Sequence, residues 1–208
     1  MKKEKSEGVR ERILGCGIRL FAERGYHGVS VDEIVGEAGV SKRMVYHYFG
    51  SKERLYQEVL VEVYGWVENL EEEVMEGASG PEEAIRGILE AYFNFHWEHP
   101  EFARLILWEN LNGGMGLKGG GVRVTKNPVI LSLRKMIDRG VAEGAFRADL
   151  DPVHLLIHMV GLCSVYHSNR YTMTHSLGMD LGQQEVREEG LRRILSLVFE
   201  GIRNSAIS

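Results

Sequence analysis

Apolar residues return along most of this chain every three or four positions, the period of a helix buried on one side. From about Gly8 to Arg24, Val9, Ile13, Gly17 and Leu20 form one stripe, and Gly25 supplies the left-handed residue that ends such a helix. Ser30 then opens a short helix whose apolar face is Val31, Ile34, Val35 and Ala38, with Glu33 at the spacing of a capping box. Gly39 stops it, Val40 plugs the turn, and Ser41 stands where it can cap a second helix that runs no further than Phe49 before Gly50 interrupts it. In that second helix Lys42, Arg43, Tyr46 and His47 fall on one side and Met44, Val45 and Tyr48 on the other. The pattern predicts helix, tight turn, helix, with one face to pack and one face of hydrogen-bond donors.

The remainder reads the same way. Ser51 can cap a long helix reaching about Glu76, whose Glu68, Glu71, Glu72, Glu73 and Glu76 read as a solvated face. Pro81 opens a helix to His99 that buries Ile85, Ile88, Leu89, Tyr92 and Phe93, and Pro100 opens one to about Asn112 with Phe102, Leu105, Ile106 and Trp108. The glycines of GGMGLKGGG, Gly113 to Gly121, predict a mobile loop. A helix follows Pro128 and ends near Gly144, another spans about Pro152 to Met173, and a last one, about Glu185 to Arg203, carries Leu191, Ile194, Leu195, Val198 and Ile202. The helix from Pro152 has two apolar stripes, Leu155, Met159, Leu162, Tyr166 and Val153, Leu156, Val160, Cys163, so it needs two packing partners. With about nine helices and almost no strand signal, the fold class is all-α. Gly15 and Gly17 weaken the first helix by up to about 1 kcal/mol each, which close packing against a neighbour would explain.

A short helix that offers two cations and two aromatic hydrogen-bonding groups, presented by a preceding helix, suits a reader of the DNA major groove. The run LFAERGYHGVSVDEIVGEAGVSKRMVYHYFGSKERLYQEVL resembles the DNA-binding domain of the TetR family of bacterial transcription regulators. The match covers about residues 9–62, with Phe21, Gly25, Tyr26, Ile34, Ala38, Gly39, Val40, Ser41, Tyr46, Tyr48, Phe49, Lys52 and Leu55 in register. The resemblance implies an N-terminal helix-turn-helix domain at 1–50, a connecting helix at 51–77, and an effector-binding and dimerisation domain at 78–208. It implies a homodimer through the two C-terminal helices, reading a palindromic double-stranded operator with half-sites ~34–36 Å apart or more. On that reading Lys42 and Arg43 meet base edges or adjacent phosphates and Met44 a thymine methyl, while Tyr46, His47, Tyr48 and Lys52, with the helix ends at Ser30 and Ser41, grip phosphates. The N-terminal lysines read as a mobile arm. HPEFARLILWEN and SNRYTM resemble blocks in a branch of the family that includes a regulator of pyrimidine utilisation, but they carry no ligand identity.

Charge supports the division. The chain of 208 residues has a formal net charge of -5. Residues 1–60 hold 11 Lys and Arg against 9 acids, and the rest holds 14 against 21, so the basic character sits with the helix-turn-helix. A family effector pocket would be lined from Tyr92, Phe93, His96, Trp97, Trp108, Asn112, Met159, Cys163, Tyr166 and Arg170, which combine apolar bulk with a few polar groups. The effector is a small molecule that the sequence does not identify.

Two distant cysteines, Cys16 and Cys163, in apolar surroundings suit a reduced cytoplasmic interior. No membrane span or signal peptide is evident. His154 and His158 stand four apart and could share a metal, yet no Cys or carboxylate lies beside them at ligand spacing, so no metal or other cofactor is expected. Without a nucleotide loop, a GxSxG elbow or an HExxH motif, no enzyme is expected either. The functions left are a ligand-released repressor, an activator with the same DNA-binding head, and an architectural DNA-binding protein, which would want a basic body in place of this acidic one.

Overall fold

The computed structural model describes residues 2–118 and 125–204, with side chains from Gly8 onward. Its described residues form ten α-helices: α1 (Lys2–Arg24), α2 (Val31–Ala38), α3 (Lys42–Phe49), α4 (Lys52–Gly77), α5 (Pro81–Glu98), α6 (Pro100–Leu111), α7 (Asn127–Ala142), α8 (Pro152–Ser168), α9 (Arg170–Leu177) and α10 (Gln184–Ile202). A 3₁₀ turn lies at Met115–Leu117. Helix α1 starts at Lys2, before the expected Gly8, so the backbone expected as a mobile arm is helical. The helix expected over 152–173 is two helices. Asn169, at φ -106 and ψ 9, ends α8 and starts α9.

The expected domains follow chain order, whereas the two compact units do not. The first unit is Met1–Trp66 with Pro100–Val124; the second is Val67–His99 with Thr125–Ser208. In the first unit α1, α2, α3 and the start of α4 close over Ile13, Phe21, Ile34, Val45, Leu55 and Val59, and Leu105 of α6 joins that core. Gly25 is left-handed at φ 68, and the Trp108 indole lies where a Cβ would come within 2.8 Å of it. Trp108 Nε1 donates to the Ala22 carbonyl at 3.3 Å. Glu109, only 3% exposed, accepts from the Tyr56 hydroxyl at 2.7 Å and the Gly116 amide at 2.9 Å. Gly116 sits so close to Leu60 that a Cβ would approach its Cδ1 to 2.6 Å. The segment Gly113 to Lys118 is therefore anchored where a mobile loop was expected; residues 119–121 of that loop lie outside the described residues.

In the second unit α5 packs against α7, α8 and α10, burying the predicted Ile85, Ile88, Leu89, Tyr92 and Phe93. The buried side of α8 is Leu155, Leu156, Met159, Cys163 and His167, whereas Val153, Ile157 and Val160 are exposed. The first expected stripe, Leu155, Met159, Leu162 and Tyr166, is buried or half-buried throughout, whereas the second mixes the two faces, because a helix turning 100° per residue places 156 and 163 beside 155 and 159 and sends 153, 157 and 160 outward. Glu71 corrects the reading of the acidic run as wholly solvated: it is 5% exposed and accepts from Tyr92 and Lys126, each at 2.5 Å. At the chain's end Arg147 and Asn204 amides donate to the Ile202 and Ala145 carbonyls, both at 3.0 Å, and Arg203 holds Glu82 through two 3.0 Å bonds.

Close packing explains one of the two unusual glycines. A Cβ at Gly17 would meet Val59 at 3.2 Å, while one at Gly15 would meet nothing within 4 Å. Gly15→Ala should therefore raise stability by up to about 1 kcal/mol and Gly17→Ala should not, as read by thermal unfolding. Equal gains at both positions would contradict this packing.

Candidate nucleic-acid interface and effector site

The helix-turn-helix is built from local signals. Ser30 accepts from the Glu33 amide at 3.2 Å while the Ser30 amide donates to Glu33 Oε2 at 2.7 Å, the complete capping box expected. Arg24 adds a 2.6 Å bond to the other carboxylate oxygen, Oε1. Gly39 takes the left-handed conformation at φ 64 and donates back to Val35. Ser41 departs from expectation: its hydroxyl makes no cap bond to α3, and its carbonyl accepts from Met44 at 2.9 Å instead. At Ser51 the hydroxyl does cap, accepting from the Arg54 amide at 3.1 Å.

Val45 and Phe49 of α3 are buried and Met44 and Tyr48 half-buried, while Lys42, Arg43, Tyr46 and His47 face outward. The two predicted faces are those observed. Lys42 is engaged with Asp32 of α2 at 2.9 Å. Arg43 makes no ion pair among the described residues, and Tyr46 is 49% exposed. His47 and Tyr48 stand edge to face at 4.9 Å. Lys52 is not a loose surface cation. Its Nζ lies 4.2 Å from the Tyr26 ring centroid, and burial there lowers its pKa from the usual lysine value.

The expected effector residues separate. Trp108 and Asn112 belong to the first unit, where Asn112 Nδ2 donates to the Trp108 carbonyl at 2.7 Å at the end of α6. Phe93, Met159 and Cys163 are core. Burial pushes the Cys163 thiol up to about 12, and its Sγ donates to the Leu89 carbonyl at 3.4 Å. Tyr166 packs on Phe93 with centroids 5.4 Å apart and covers Gly190, where a Cβ would meet its ring at 2.5 Å. The Tyr92 phenol is raised by burial and by Glu71. His96, Trp97 and Arg170 do lie near one another, and they come with two residues the sequence did not single out, His167 and Arg187. The Arg187 guanidinium carbon lies 4.2 Å from a Trp97 ring centroid and that of Arg170 5.8 Å. His167 meets the Trp97 ring at 5.2 Å. Burial, then the neighbouring His167, lowers His96 to about 4. Nothing in the spacing of Arg187, beside acids at 188 and 189, signals this position.

The clefts of the second unit include these two. One of about 410 Å³ is lined by Glu68, Glu71, Glu72, Glu76, Met75 and Val129. The other, of about 740 Å³, runs along α8 and α10 past Ile157, His158, Leu197 and Val198. There Ile157 is 58% and Leu197 60% exposed. His154 and His158 both line this cleft, and among the described residues no group of three or more His, Cys, Asp or Glu could hold a metal. Among the same residues no helix is long and apolar enough to cross a membrane.

An all-helical chain with a capped helix-turn-helix and a separate helical body is a DNA-binding transcriptional regulator. Residues 13–59 match the family described as bacterial regulatory proteins, tetR family, and residues 81–198 match the tetracyclin repressor-like C-terminal domain. The chain belongs to the TetR family, whose members bind operator DNA and dimerise. The HTH-type transcriptional repressor NicS of Pseudomonas putida is 30% identical over 204 residues, 98% of this chain and 96% of that protein. The HTH-type transcriptional repressor KstR2 of Mycolicibacterium smegmatis is 30% identical over 146 residues, 68% of this chain and 69% of that one. A TetR regulator from Chloroflexus aurantiacus has the same fold, with a TM-score of 0.73 at 18% identity, over 97% of this chain and 100% of that one.

The capping box makes a pH signature. Hydrogen bonds from the Ser30 amide and hydroxyl, then Arg24, lower the Glu33 carboxyl to about 2 from 4.5. A depressed carboxylate stabilises the fold above its unfolded value and loses that contribution as pH falls through its folded value. Thermal unfolding should show wild type above Glu33→Gln at neutral pH, with the gap closing between about 4.5 and about 2. A gap independent of pH would contradict the assignment.

Proposed function

We propose that this protein represses transcription by occupying a palindromic operator as a homodimer in the cytoplasm, and that a small molecule bound in its second unit releases it. The observation that carries the DNA reading is the division of α3, with Val45 and Phe49 buried and Lys42, Arg43, Tyr46 and His47 outward. Arg43, without an ion pair among the described residues, reads base edges, and Met44 reaches a thymine methyl. Lys42 exchanges Asp32 for a phosphate, a swap of one anion for another at little cost in charge pairing. Tyr46, His47, Tyr48, Lys52 and the helix ends at Ser30 and Ser41 grip the backbone. Relatives named as repressors support the sign of regulation.

The exposed apolar cleft along α8 and α10 is the face for a second copy, which would cover Ile157, Val160 and Leu197. The protein acts by binding and not by catalysis. Control needs little energy, since a tenfold loss of operator affinity is about 1.4 kcal/mol. Helix α4 is the element through which the effector acts, because Lys52 at one end grips DNA and Glu71 near the other belongs to the second unit.

Binding to an operator selected from random DNA, measured over a range of salt, tests the assignments. Arg43→Ala should lose about 1–3 kcal/mol of discrimination between operator and mismatched sequence. Lys52→Ala should weaken all sequences alike and reduce the salt slope by about 1. If Lys52→Ala altered preference while leaving affinity intact, the two roles would be wrong.

A further inference from the structure

We infer that the junction of α5, α8, α9 and α10 is a binding site for a small organic carboxylate, held by Arg187 and Arg170 against the indole of Trp97; this rests on the reading of the protein as an effector-controlled regulator. The central observation is a pair of cations without a counter-ion. Both guanidiniums lie over Trp97, at 4.2 and 5.8 Å from a ring centroid, and both arginines are half-buried. Neither has a carboxylate partner among the described residues; the one hydrogen bond from the Arg170 side chain goes to the Tyr171 hydroxyl. Several other arginines of this unit do have a carboxylate partner: Arg139 with Glu143, Arg147 with Asp149, Arg192 and Arg193 with Glu189, and Arg203 with Glu82. The acids that follow Arg187 in sequence are turned elsewhere, Glu188 to Gln184 at 2.8 Å and Glu189 to Arg192 and Arg193.

Two donors at the same place are also unmet. Arg187 Nε and Trp97 Nε1 are both buried with no acceptor among the described residues. A buried donor that gives up water and gains no acceptor is costly, and a cation more so. One anion would answer all of these at once, accepting from the fork of Arg187, from Arg170 and from the indole N–H. A carboxylate fits better than a phosphate. Its two oxygens match the planar guanidinium fork, and its single charge suits a site in which His96 is held neutral at physiological pH by burial and the neighbouring His167. The neighbouring rings, Trp97, His167 and Tyr171, would suit an apolar body on that carboxylate.

Calorimetric titration of the full chain with a series of monocarboxylates from acetate to benzoate, and separately with inorganic phosphate, tests the site. At least one carboxylate should bind saturably, at one per chain, and bind at least tenfold more weakly to Arg187→Gln and to Arg170→Gln, with Arg187→Lys retaining part of the affinity. Far-ultraviolet circular dichroism should be the same for all four proteins, and the two Gln variants serve as independent checks should one of them fold poorly. The proposal is overturned if no carboxylate binds saturably, if binding survives both Gln substitutions undiminished, or if phosphate binds more tightly than every carboxylate. Operator binding without added carboxylate separates the two readings. Arg187→Gln should hold its operator as wild type does, and the carboxylate that binds should loosen wild type but not Arg187→Gln. Failure of wild type to hold any operator would count against the regulator reading, whereas a carboxylate that binds through Arg187 without loosening the operator would remove the effector role.

Discussion

An eight-residue helix does not hold itself in water, so the DNA-facing surface depends on how α3 is anchored. It is anchored by two side chains, Val45 and Phe49, buried in the core that α1, α2 and α4 share. Burying such residues contributes about 1.5–3 kcal/mol each, more than the ~1 kcal/mol of a good N-cap. Helix α3 therefore forms although the Ser41 hydroxyl makes no cap bond. Its outward face carries Lys42, Arg43, Tyr46 and His47, the residues proposed to meet DNA, of which Lys42 is also tied to Asp32 of α2. Helix α2 is secured differently, by its capping box and by Arg24 on the same glutamate.

Both compact units solve the problem of a buried carboxylate with a tyrosine. In one, Glu109 accepts from Tyr56 and from the Gly116 amide; in the other, Glu71 accepts from Tyr92 and pairs with Lys126. Each carboxylate thereby recovers hydrogen bonds lost on leaving water. Arg187 is the contrast, a buried guanidinium nitrogen with an aromatic neighbour and no acceptor among the described residues, and the proposed carboxylate site rests on this asymmetry.

How much of this was legible in the sequence follows from the range of the interactions. Ser30 with Glu33, Gly39, and the alternation of outward and inward residues in α3 act within one or two turns, so they could be read directly, and so could the buried stripe of α5. The family resemblance added the pairing of head and body. The site in the second unit was readable only in part, because it is made of long-range contacts. Trp108 looked like pocket lining, yet it closes on Gly25 in the first unit; Glu71 looked solvated in an acidic run, yet Tyr92 and Lys126 draw it inside. The break at Asn169 carried no proline or glycine to announce it, and the exposed Ile157 was hidden in a helix apolar on several sides. Arg187 had no sequence signal at all, since what distinguishes it is the lack of a carboxylate partner among the described residues.

Two α3 helices acting on one palindrome is the central claim, and the most direct measurement is stoichiometry on DNA. Sedimentation of the purified chain, alone and on its selected site, should give two chains in solution and two on a two-fold symmetric sequence with half-sites about one helical turn apart or more. A single chain bound to an asymmetric sequence would contradict the account.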